Sequence, residues 1–101
     1  MAGGASRFVV AADVSKPGPV YVAVNRRGDA LVVWGAKDGV EQLWARYQPT
    51  GQEWTKPVMV TEANSRPKWT GVTIGECGDT AVAWMTHNHR EVQVRRLTPT
   101  P

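Results

Sequence analysis

Sliding the chain along itself by 50 positions aligns 12 identical residues over the 51 that overlap, with no gap. Chance at ordinary composition gives roughly three or four such matches. The pairs include Gly28-Asp29 with Gly78-Asp79, Val32 with Val82, Trp34 with Trp84, Glu41 with Glu91, Arg46 with Arg96 and Pro49-Thr50 with Pro99-Thr100. Upstream, Val10 meets Val60, Ser15 meets Ser65, Pro17 meets Pro67 and Val22 meets Val72. A message written twice within 101 residues describes two copies of one supersecondary unit, which must stack to bury a core.

Each unit has the period of a strand. Val20, Val22 and Val24 alternate with Tyr21 and Ala23, which predicts a strand. The turn Arg26-Arg27-Gly28-Asp29 follows, then Ala30 to Trp34, apolar on both faces as a strand covered on both sides would be. Asp38-Gly39 predicts a hairpin. A third strand is expected at about 41–48 and, after the turn Pro49-Thr50-Gly51-Gln52, a fourth at about 54–61. The second unit predicts strands at about 70–75, 80–85 and 91–97. No stretch of ten residues has helical periodicity or caps, and ten Gly and seven Pro suit many turns.

Four-stranded antiparallel units of about 50 residues, apolar on both faces of their middle strands, resemble the blades of a β-propeller. The resemblance spans about residues 7–101 and rests on the repeat, on Gly-Asp before an apolar strand ending in Trp, and on Thr50-Gly51-x-x-Trp54. That last turn partly resembles the Asp-box of sialidase-like propellers, Ser-x-Asp-x-Gly-x-Thr-Trp. Gly51 and Trp54 fit it, whereas Pro49 stands in the Asp position and Glu53 in the Thr position. The resemblance implies an all-β propeller with two four-stranded antiparallel blades per chain.

Propellers close with roughly four to eight blades, so two blades leave an apolar flank on each side. The phase of the repeat adds an expectation. Residues 1–6 read as a flexible tail, 7–12 as an outer strand that completes a neighbour's blade, 13–62 as blade 1 and 63–101 as blade 2 without its own outer strand. Such an exchange is a head-to-tail contact that can close a ring. A homotrimer of six blades is expected, in the manner of the small fucose-binding lectins of bacteria and fungi that this arrangement resembles. A tetramer of eight blades and a piece of a longer propeller are the alternatives.

Twelve Lys and Arg against nine Asp and Glu give a net charge of +3, too thin for a nucleic-acid-binding arm. The lone Cys77 forbids an internal disulfide. No apolar run approaches the roughly 18 residues of a membrane span. No signal-peptide core is seen near the start, which leaves localisation open with a cytoplasmic default.

In a blade, the loop between strands two and three and the loop leading to the next blade emerge at one end. Those loops carry Lys16, Lys37, Arg66, Lys68 and Arg90 against Asp38, an end that would attract an anionic ligand. The other end carries Asp29, Glu53, Glu76 and Asp79 against Arg26 and Arg27. Of the five Trp, Trp34, Trp84, Trp54 and Trp44 are assigned to packing or to a groove wall. Trp69 has Pro19 as its repeat partner and lies beside Arg66 and Lys68, which suits a stacking platform for a sugar ring. Glu41 with Arg46 and Glu91 with Arg96 could line inter-blade pockets, since the lectins of this resemblance hold fucose with Arg, Glu and Trp. Cross-strand ion pairs are the simpler account of the same residues.

His87 and His89 share a hairpin tip, but two ligands are too few for a zinc site. Cys77 has no His placed to activate it. No paired carboxylates or triad stand out, so neither catalysis nor a cofactor is expected. The sequence therefore points to a non-catalytic propeller that binds a carbohydrate or anionic ligand, with a self-assembling or protein-interaction scaffold as the alternative.

Overall fold

The computed structural model describes residues 19–37, 41–61, 66–86 and 90–97. They form seven strands: β1 (Val20–Val24), β2 (Ala30–Lys37), β3 (Glu41–Gln48), β4 (Val58–Met59), β5 (Lys68–Ile74), β6 (Thr80–Met85) and β7 (Val92–Arg96). The protein is all-β. One antiparallel sheet has the order β1-β2-β3-β4 and the other β5-β6-β7, so each repeat unit makes one meander. No helix among the described residues is long and apolar enough to cross a membrane. The exchanged strand expected at 7–12 lies outside the described residues.

The two Gly-Asp motifs close the first hairpin of each sheet in the same way. Gly28 N donates to Asn25 O (3.1 Å) and Gly78 N to Gly75 O (3.0 Å), with φ of 92° and 88° at the two glycines. That is a tight turn ending in a left-handed residue, where a side chain is strained. At Gly28 a Cβ would also meet Thr50 Oγ1 at 3.2 Å. Gly28→Ala should therefore destabilise the fold by about 1 kcal/mol or more, read as a lower urea midpoint.

Period-two patterning then decides which side chains meet. Leu31 and Val33 of β2 share a face with Leu43 and Ala45 of β3, because Val33 pairs with Ala45 and Gly35 with Leu43. Val60, just beyond β4, is held by its N–H on Leu43 O at 2.8 Å. Against this face the second sheet sets Val82 and Trp84, and the seven residues form one buried cluster edged by Tyr21, Val72 and Leu97. The two sheets are thus face to face, with β1 and β5 in contact. Arg95 Nη1 reaches Val60 O at 3.5 Å across the same junction.

The fourth strand is shorter than its sequence pattern. Only Val58 and Met59 pair with β3 as a ladder. Before them the chain is fastened by other bonds: Thr55 N donates to Tyr47 O (2.7 Å) and Tyr47 N to Thr55 Oγ1 (3.0 Å). Pro57 lacks the N–H that a longer ladder would need.

The largest departure from the sequence alignment lies in β7. In the first sheet Val33 pairs with Ala45, but in the second Ala83 pairs with Val94 rather than with residue 95. β7 thus pairs with β6 one residue off the register of β3 with β2, and a one-residue slip turns every side chain to the other face. Val92 and Val94 therefore stand where Leu43 and Ala45 stand, and Arg95 corresponds to Arg46. The alignment of Trp44 with Val94 and of Arg46 with Arg96 holds in sequence but not in space.

Candidate functional site

Antiparallel pairing sorts the loops by end. The turns at 25–29 and 75–79 lie together, since Asn25 Nδ2 donates to Gly75 O at 2.8 Å. Residues 66–68 and 90–92 lie at the opposite end, with the open ends of β1, β2 and β3. Arg66, Lys68 and Arg90 are all exposed there. The other end exposes Glu76 and Asp79 along with Arg26 and Arg27.

Asp29 was expected to add to the surface charge of that acidic end, but its side chain is buried. It accepts from Asn25 Nδ2 (2.8 Å), Thr50 N (2.8 Å) and Arg27 Nε (3.3 Å), with Thr50 Oγ1 at 3.0 Å. The Thr50 hydroxyl also touches Arg27 O. The bonds from Asn25 and from the Thr50 backbone hold the Asp29 carboxyl below its ordinary 3.8, against the opposing pull of burial. In the second unit Gly75 takes the place of Asn25 and has no side chain to hold Asp79. The carboxylate latch of the first unit is structural.

Trp69 lies within β5, not in a loop. Lys68 pairs with Met85 and Gly71 with Ala83, so Trp69 and Thr70 together oppose Trp84 alone. This β-bulge re-aims side chains at the strand's entry. The Trp69 backbone is left-handed, φ 45°, and so is that of Arg66, φ 47°. Such conformations cost on the order of 1–3 kcal/mol for a bulky residue. The indole is 73% exposed, so neither its backbone conformation nor its position is explained by core packing. Arg66, Lys68 and Trp69 are therefore brought to one end of one strand.

The Glu and Arg candidates are not gathered in the same way. Glu41 and Arg46 lie five residues apart along β3, a rise of roughly 16 Å, and Glu91, just before β7, is likewise five residues from Arg96 at its end. Arg46 is half-buried and its Nε donates to Thr55 O at 2.8 Å, fastening the segment before β4. Glu91 is exposed at the cationic end and accepts from Gln93 Nε2 at 3.1 Å. Arg96 is exposed near the other end, on the face away from the sheet junction. Each residue of a pair therefore belongs to a different end of the molecule.

Gln42 escaped the sequence reading. It is buried on β3 and its Nε2 has no hydrogen-bond partner among the described residues; a Gln between Glu and Leu in an edge-of-hairpin position carries no signal for this. Arg95 was missed because the fifty-residue alignment paired its neighbour with Arg46. Among the described residues no group of three or more His, Cys, Asp and Glu could hold a metal, and His87 and His89 lie outside them. Cys77 is exposed.

No family model, no curated protein and no solved structure matches this chain.

Proposed function

We propose that this protein is a non-catalytic ligand-binding β-propeller whose two sheets are blades, completed by further copies of the chain. Three copies would make six blades, with residues 7–12 of one copy supplying the outer strand beside β7 of the next. Its ligand is a carbohydrate or another anionic group, and an acidic glycan joins both chemistries. The observation that carries the ligand is Trp69: a 73% exposed indole on a left-handed bulge, with exposed Arg66 and Lys68 beside it. An indole offers a flat apolar face to a sugar ring, and the cations offer charge-assisted bonds to a carboxylate or sulfate.

The test is an array of neutral, carboxylated and sulfated glycans probed with the wild-type protein, Trp69→Ala and Trp69→Gly. Binding to an acidic glycan should be lost in both variants. Trp69→Gly should at the same time melt no lower than wild type, because glycine relieves the left-handed backbone. Binding that survives Trp69→Ala would sink this site. A blank array from an assembled protein would favour the scaffold reading, which the exposed apolar sheet faces support.

A further inference from the structure

Both sheets carry apolar side chains on both faces; one face of each is buried in the shared junction and the other leaves valines exposed, although Trp34 and Gln42 on the outer face of the first sheet are themselves buried. In the first sheet the covered face presents Leu31, Val33, Leu43 and Ala45, all at 2% exposure or less. Backbone pairing puts Ala81, Ala83, Val92 and Val94 at the same positions in the second sheet. There the face is open: Val92 is 66% exposed and Val94 59%. The other kind of face shows the reverse. Val72, Val82 and Trp84 line the covered face of the second sheet, with Val82 fully buried and Trp84 at 7%. Their counterparts in the first sheet, Val22, Val32 and Trp34, point away from the junction beside Val20, Val24 and Met59. Val20, Val22 and Val24 are 64–68% exposed.

The chain thus holds one junction between a Leu31-type face and a Val82-type face, and leaves over one face of each type on which valines are exposed. These leftovers are on opposite sides of the molecule, so they cannot satisfy each other within one chain. From this we infer that the open face of the β5–β7 sheet packs on the open face of the β1–β4 sheet of the next copy, repeating between chains the junction that joins the sheets within one. The occupant is a second copy because the exposed valines of both kinds of face, Val92 and Val94 on one and Val20, Val22 and Val24 on the other, are carried by the same polypeptide. The contact is heterologous, one kind of surface meeting another, rather than a two-fold pairing of like faces. Large open apolar faces on a lone chain are otherwise an aggregation hazard.

This inference rests on the assembly part of the proposed function and not on its ligand or on the number of copies. The experiment is light scattering on the full chain and on two variants, Val22→Glu for one face and Val94→Glu for the other. Wild type should have a mass of several times 11.1 kDa. Each variant alone should fall to a single chain, because every copy in the tube lacks one of the two faces that must meet. An equimolar mixture should form a dimer of twice 11.1 kDa that contains one copy of each variant, because one intact face of each kind is again present.

If like faces paired, each variant alone would remain a dimer or keep the wild-type mass, and the inference would be overturned. A mixture that stays monomeric, or a wild type that runs as 11.1 kDa, overturns it as well. Should the charged variants not fold, Val22→Thr and Val94→Thr each serve instead. Each should raise the concentration at which the assembly dissociates by roughly tenfold or more, as burial of the lost methyl is forfeited; no change in either overturns the inference. Assembly as described with a blank glycan array would leave this junction standing and refute only the ligand.

Discussion

Leu31→Ala should lower folding stability by about 2–5 kcal/mol, the cost of an unfilled cavity in a well-packed core. Leu31 is fully buried near the start of β2, within the cluster that both sheets share. A small domain has about 5–15 kcal/mol in all, so this one substitution removes a large part of it. Urea unfolding followed by Trp fluorescence reads the change, because Trp84 belongs to the same cluster. The companion is Val22→Ala on the open face, where the side chain is 64% exposed. In an isolated chain that change would stay within about 0.5 kcal/mol. At a junction between copies it costs a buried side chain, so a concentration-dependent loss of stability is expected. A Leu31→Ala chain as stable as wild type would contradict the shared core.

Asp29→Asn is the second substitution with a large expected effect. The side chain keeps its shape, but an amide cannot accept from Asn25, Thr50 and Arg27 as a carboxylate does, and its own NH2 would face donors. The turn, the β3–β4 connection and the bond from Asn25 to Gly75 are all tied to this carboxylate, so the thermal midpoint should fall by several degrees. The pH dependence has a definite sign. Because the folded-state carboxyl lies below its ordinary 3.8, its stabilisation is in place above that value and is lost as pH falls through the lower folded-state one. Wild type should lose stability on acidification below about pH 4 in a step that Asp29→Asn lacks. Parallel acid curves for the two proteins would show that Asp29 is not the group responsible.

Strand order was legible in the sequence because alternation and turn glycines act over a few residues. The pattern at Val20 to Val24 and the Gly-Asp turns are local, and the strands they predict are present in the same order. The fourth strand was less so: its apolar residues suit a strand, but hydrogen bonds from Arg46 and Tyr47 hold the chain at Thr55, ahead of the short ladder at Val58 and Met59. The face of β7 was not legible at all. It depends on the register in which β7 pairs with β6, and a shift of one residue exchanges Val94 for Arg95 at the core-type position while leaving the identity of Arg46 with Arg96 intact. The cationic grouping of Arg66 and Lys68 could be read from adjacency, whereas the bulge and left-handed backbone that expose Trp69 arise from how β5 meets β6.

By itself, the sequence determined that this protein is two copies of one antiparallel meander, since a repeated period-two pattern between repeated turns permits little else. Only the tertiary structure decided which face of each sheet is used up. Both faces of the middle strands are apolar, so composition is the same whichever is buried; the pairing of Val33 with Ala45 and of Ala83 with Val94, together with the junction on Val82, breaks that symmetry. It is the junction that turns a repeat into two unlike outer surfaces, and the physical reason is that a single junction between two sheets buries only one face of each.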